Sequence, residues 1–161
     1  MVLAVDQYHW LLFLHVTGAG VFVAGAVVAG AAQIAALQRE RPSEIAILLR
    51  FARYGVALAG VGSLAALGFG IWLVSYIGYG FGQAWISASI ALWVLSQALG
   101  GIGGRTARHA RERAEALAAA GDAPDPELTD LVSHRPSLLL SYASSGAIVA
   151  ILVLMIWKPG A

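Results

Sequence analysis

The chain has 161 residues, of which 59% are hydrophobic and 12% charged, and a formal net charge of +1. Soluble domains carry about 45–50% apolar and about 25% charged residues, so this chain has too little polar surface to cover a water-soluble globule and needs lipid to face. It contains no cysteine, which excludes disulfides, thiolate metal sites and thiol nucleophiles, and its small net charge gives no reason to expect a nucleic-acid partner.

Four apolar runs follow one another: about Tyr8 to Leu37, a second within Ile45 to Tyr76, about Trp85 to Gly104, and Ser137 to Trp157. Each reaches the ~20 residues needed to cross a hydrocarbon core ~30 Å thick. Backbone groups in lipid must be satisfied within their own segment, so each run is expected to be a helix. Barrel strands would be about half as long and would alternate polar with apolar residues. The expected fold is all-α, a single transmembrane four-helix domain over 1–161, with spans at about 8–37, 50–76, 85–104 and 137–157. The first run is not expected to be a cleaved signal: no Lys or Arg precedes Arg39, and the run is too long for an h-region.

Nine of the ten basic residues fall in two places. Arg39, Arg41, Arg50 and Arg53 lie between or beside the first two spans, and Arg105, Arg108, Arg111, Arg113 and Arg135 lie between the third and fourth. A four-span topology puts both groups on one side, and the positive-inside rule makes that side the cytoplasm. Loops 38–49 and 105–135 are therefore expected inside and both termini outside. Tyr8, Trp10, Trp72, Tyr76, Tyr79, Trp85 and Trp157 collect at the opposite boundary, where amphipathic rings favour the interface. Helix also extends past the membrane on the arginine side. Ser43 is a candidate N-cap for a helix to Tyr76, about 50 Å long at 1.5 Å per residue. The third span is expected to continue to Ala120, with Arg108–Glu112 and Arg111–Glu115 at i,i+4. Gly121 would stop it, Asp125 would cap a short helix, and Pro136 suits the first turn of the fourth span.

Helices in lipid associate through small residues and interhelical hydrogen bonds. The 3.6-residue period predicts one such stripe per span. The first holds His15, Gly18, Ala19, Phe22, Gly25, Ala26, Ala29 and Gln33. The second holds Ala59, Gly62, Ser63, Ala66 and Gly70. The third holds Ser89, Trp93, Ser96, Gln97, Gly100 and Gly104, and the fourth Ser137, Ser141, Ser144 and Ser145. Gly20 and Ala24 form a second small face on the first helix, suited to another helix or another protomer. The run Gly100 to Gly104 sits at the end of a membrane helix and is expected to serve close packing or a kink, not phosphate binding.

His15 lies roughly 10 Å inside the outer boundary, where an ionisable residue is a functional-site candidate. Two readings stand beside each other. Its imidazole ligates haem iron or copper, or carries a proton; or it is a neutral ring bonded to a neighbouring helix. Met155, at the same end of the fourth span, offers a thioether suited to Cu(I) or an axial haem position. His9 lies about 120° round the helix from His15, and His109 and His134 are expected at the inner surface, so none of them shares a metal with His15. Gln33 and Gln97 are expected to bond between helices. No acidic residue lies within a span, which argues against a proton pump or cation transporter. The Arg-rich loops are read first as topology determinants, with anionic lipid heads as a second reading.

Several motifs taken in order carry a resemblance over essentially the whole chain. Trp10-Leu11-Leu12-Phe13-Leu14-His15-Val16 opens the first span and Gly70-Ile71-Trp72-Leu73-Val74 ends the second. Gly80-Phe81-Gly82-Gln83-Ala84-Trp85-Ile86 precedes the third, and Met155-Ile156-Trp157-Lys158-Pro159-Gly160 closes the chain. The pattern resembles a bacterial family of four-span integral membrane proteins without an assigned function. That family is in turn similar to the copper-resistance membrane proteins of the D type and to a small protoporphyrinogen-oxidase-like haem protein. The similarity implies haem b or copper handling at His15. The second group is also expected to have an intramembrane Lys in a later span; this chain has none, since Lys158 stands at the boundary, so the oxidase activity does not carry over.

The expected protein is thus a multi-pass component of the bacterial inner membrane. It either binds haem or copper through His15, with Met155 as a second ligand, or acts as a non-catalytic structural or accessory subunit of a larger membrane complex. Its expected partners are the lipid bilayer and either further copies of itself, as a homo-oligomer, or the other subunits of a membrane complex.

Overall fold

A computed structural model describes residues 6–159, and these are helical with short connections. The elements are α1 (Gln7–Ala36), α2 (Pro42–Ile77), α3 (Ala84–Ala119), α4 (Pro126–Val132) and α5 (Arg135–Trp157). Four stretches are long and apolar enough to cross a membrane, the last being α4 and α5 taken together. Large side chains such as Val61, Leu64, Leu139 and Val149 point outward and are exposed, as lipid-facing positions are.

The helix ends follow local chemistry with one exchange of roles. α3 stops before Gly121, whose φ of 122° no L side chain adopts easily. Asp125 caps α4 by accepting from the Leu128 amide at 2.9 Å. Pro136 lies in the first turn of α5, and the N-cap is His134, whose Nδ1 accepts from the Ser137 amide at 3.4 Å. Ser43 does not cap α2. The helix starts one residue earlier at Pro42, and the Ser43 amide and hydroxyl both donate to the Asp122 carboxylate, each at 2.7 Å. The cap is therefore lent by the turn that follows α3.

Two antiparallel hairpins make up the fold. In the first, α1 and α2 meet backbone to backbone. Gly18 and Gly25 of α1 face Gly55 and Gly62 of α2, and all four are buried. A Cβ on Gly55 would stand 2.6 Å from the Ala29 nitrogen, and one on Gly18 would stand 2.7 Å from that of Ala66. Ala59 and Ala66 interleave with the glycines, so the predicted stripes do meet; Gly55 extends the second one by a turn.

In the second hairpin, α3 and α5 add hydrogen bonds to close approach. Ser137 Oγ donates to the Gly103 carbonyl at 2.6 Å, and Ser144 Oγ donates to that of Ser96 at 2.8 Å. Such bonds in membrane bundles average about 0.6 kcal/mol, so they set register more than they supply stability. Gly100 and Gly103 lie against α5, while Gly101 and Gly104 face open space. The glycine run thus acts by packing on one face only. Ser145 bonds back to its own helix at Ser141 and takes no part in the seam.

The hairpins are pinned together at the arginine end. There Ala36, Ile45, Ala46, Leu49, Ala110, Ala114, Leu128 and Val132 form a buried core contributed by the first four helices. Arg113 ties α3 to α4 through Asp125 and Glu127, each at 2.8 Å, and Arg50 reaches Glu115 across the hairpins at 3.4 Å. Arg111 pairs with Glu115 at 3.6 Å as its spacing predicts, but Arg108 pairs with no carboxylate among the described residues. Towards the aromatic end the hairpins separate, and α1 barely touches α5.

Gly62→Ala places a methyl against the α1 backbone at Phe22 and should lower stability by about 1–3 kcal/mol, the usual cost of overpacking. Gly20→Ala meets nothing within 4 Å in its own chain and should leave the melting temperature of the monomer in detergent unchanged or slightly raised. The Ser43 hydroxyl and amide hold Asp122 below its ordinary carboxylate range, and the Arg113 guanidinium does the same for Asp125. Their contribution is complete above the pKa of the unfolded carboxylates and is lost as pH falls through the depressed folded values. Asp122→Asn should therefore melt lower at neutral pH and lose less stability on acidification, as read from thermal unfolding at neutral pH and at about pH 3.

Candidate functional site

Separation of the hairpins leaves a cleft of about 430 Å³ at the aromatic end, with walls from α1, α2, α3 and α5. Most of the lining is apolar, with Leu12, Phe22, Leu67, Ile86 and Leu152 among it, and Tyr79 and Phe81 of the α2–α3 turn stand at its mouth. The volume falls within the ~300–1,000 Å³ typical of small-molecule sites.

His15 stands on this wall. Its Nδ1 lies 2.8 Å from the Ala66 carbonyl oxygen. A carbonyl only accepts, so Nδ1 carries the proton, and in a neutral ring the Nε2 lone pair is left free. The ring rests on Gly70, one turn further along α2, where a Cβ would come within 2.9 Å of both Nδ1 and Cε1. Ala66 and Gly70 therefore form a seat for the imidazole: one supplies a carbonyl and the other supplies room. Histidines that ligate metals through Nε2 are commonly oriented by a backbone acceptor of this kind on the other ring nitrogen.

Met155 lines the same cleft from α5, so the two predicted ligands share one space. Two further groups had no prominence in the sequence. The Trp93 indole nitrogen, on a residue of this wall, is buried with no hydrogen-bond partner among the described residues, which is uncommon for a buried donor. Lys158 lies at the mouth, its ammonium 5.6 Å from the centre of the Trp85 ring. Trp85 is fixed in turn, donating to Gln83 Oε1 at 2.8 Å and stacking edge-on against Tyr79. A terminal lysine and a mid-helix tryptophan read as boundary and packing residues in sequence; only the fold turns them to one cleft.

The other histidines stay away. His9 is exposed and lies edge-on to Tyr8, His109 is exposed on α3, and His134 caps α5. Among the described residues no group of three or more His, Cys, Asp or Glu is placed to hold a metal ion. Gln33 and Gln97 make no hydrogen bond to one another and instead line a second cleft nearer the arginine end. Phe22 and Ile148 border both clefts and divide them.

Four membrane-length helices, paired into hairpins over an apolar cleft, define a polytopic membrane bundle. Residues 9–159 match the family described as predicted integral membrane protein (DUF2269), and the chain belongs to that family. No curated protein and no solved structure matches it.

Proposed function

We propose that the protein binds haem b in the aromatic-end cleft, with His15 Nε2 as an axial ligand. The observation that carries this reading is the His15 imidazole itself: Nδ1 is held by the Ala66 carbonyl at 2.8 Å, and the rest of the ring borders an apolar cleft. The surroundings support it. A flat apolar macrocycle suits walls of this composition, Met155 would offer a second donor to the iron, and Lys158 at the mouth suits the macrocycle's carboxylates. Haem there would supply one-electron chemistry whose potential depends on the axial set and the burial. Copper is the second occupant of the same donors, since imidazole and thioether together favour Cu(I). The cleft favours haem, because a bare ion with two protein ligands leaves most of this volume unused.

Protein purified from haem- and copper-replete cells should show a Soret band or about one copper per chain. His15→Ala should remove it. Met155→Leu should keep haem but change the spectrum, and Gly70→Ala, which displaces the ring, should weaken retention. Preparations with neither a Soret band nor stoichiometric copper, or an unchanged His15→Ala spectrum, would refute the reading.

The proposed setting is a bacterial inner membrane with the arginine end in the cytoplasm and both termini outside, which puts the cleft in the outer leaflet. The chain has no native cysteine, so single cysteines report cleanly. Gly82→Cys, in the exposed α2–α3 turn, should react with an impermeant reagent from outside, and Glu40→Cys only after lysis; the reverse pattern would invert the topology. The outward Gly20 and Ala24 face is proposed as a contact with a second copy or an accessory partner. Disulfide-linked dimers of Gly20→Cys would support the former, and a monomer in mild detergent would count against both.

A further inference from the structure

The second cleft, about 670 Å³, lies between the hairpins towards the arginine end. Arg53 of α2 and Arg108 and Arg111 of α3 line it. Arg111 is neutralised by Glu115 and Glu112. Arg53 and Arg108 have no carboxylate partner among the described residues. These two uncompensated charges come from different hairpins and border one space. The spacing of Arg108 would allow a pair with Glu112 on its own helix, yet that pair is not made. Gln33 and Gln97 line the same cleft, and neither side-chain amide has a hydrogen-bond partner among the described residues. Towards mid-membrane the walls become Phe22, Ala26, Val56 and Ile148.

We propose that this cleft is a binding site for an anionic phospholipid, its phosphodiester held by Arg53 and Arg108 and one acyl chain lying along the apolar wall. Charge complementarity selects an anion, and guanidinium forks suit phosphate oxygens. The apolar stretch of wall at Phe22, Ala26, Val56 and Ile148 selects a lipid over a soluble phosphate, which has no use for it. Basic pockets between membrane helices recognise such headgroups. A lipid here would also fill the space between hairpins where their own contacts are sparse.

The test is thermal unfolding of the full-length protein in neutral detergent, titrated with phosphatidylglycerol, phosphatidylcholine or inorganic phosphate. Phosphatidylglycerol should raise the melting temperature saturably, and the other two should not. Arg53→Gln with Arg108→Gln should weaken the effect roughly thirtyfold, at about a decade or less per arginine. Arg105→Gln with Arg135→Gln removes the same charge from residues outside the cleft and should leave it intact. Equal losses in the two double variants would reduce the effect to general surface charge and overturn the proposal. So would equal stabilisation by phosphatidylcholine or by inorganic phosphate, and that ligand series decides alone if the cleft variant fails to fold.

Discussion

Two helices in lipid gain nothing from burying leucine, because the lipid is as apolar as the leucine. What they can gain is dispersion between closely packed atoms, and that requires small residues where the axes meet. The seam of Gly18 and Gly25 against Gly55 and Gly62 meets this condition, with each glycine set against the opposite backbone. The rest of the bundle depends on it. The seam fixes the rotation of α1 against α2, and that rotation brings His15 over Gly70 and under the Ala66 carbonyl. A different register would point the imidazole at lipid or at a Cβ.

The second hairpin uses another device. Serines replace part of the glycine seam, and hydroxyls bonded to carbonyls of the facing helix set the register. Since each hairpin is satisfied internally, the two need little from one another within the membrane. They are joined where water returns, by a small apolar core, the Arg50–Glu115 ion pair and the Ser43–Asp122 hydrogen bonds. Ordinary hydrophobic burial works there, at roughly 25 cal/mol per Å². The clefts between the hairpins are a by-product of this division of labour.

Much of this was legible in the sequence because the signals were one-dimensional. Span lengths follow from membrane thickness, and the packing stripes follow from the helical period, which is why Gly18, Gly25, Gly62, Ser137 and Ser144 fell on the correct faces. His15 and Met155 were placed at one end by counting along their helices. What escaped depended on distant segments meeting. Ser43 read as a cap because caps are usually local, whereas its partner Asp122 is 79 positions away. Arg108–Glu112 had the spacing of an ion pair, but Arg108 lines the second cleft and makes no such pair. Gly70 was named as a packing residue, but its role as the floor under an imidazole needed the rotation of two helices about their axes. Trp93 and Lys158 joined the site only through the fold. The charge bias gave a direction across the membrane, but the helices themselves carry no mark of inside or outside.

The partition made by Phe22 and Ile148 has a thermodynamic meaning. Both side chains belong to two chambers at once, so an occupant that shifts either one changes the shape offered to the other. If both proposed guests bind, linkage works in both directions: whatever factor a guest near the arginines applies to affinity at His15, a guest at His15 applies to affinity near the arginines. Two side chains in contact with both spaces can thereby couple the halves of the bilayer without any helix changing its tilt.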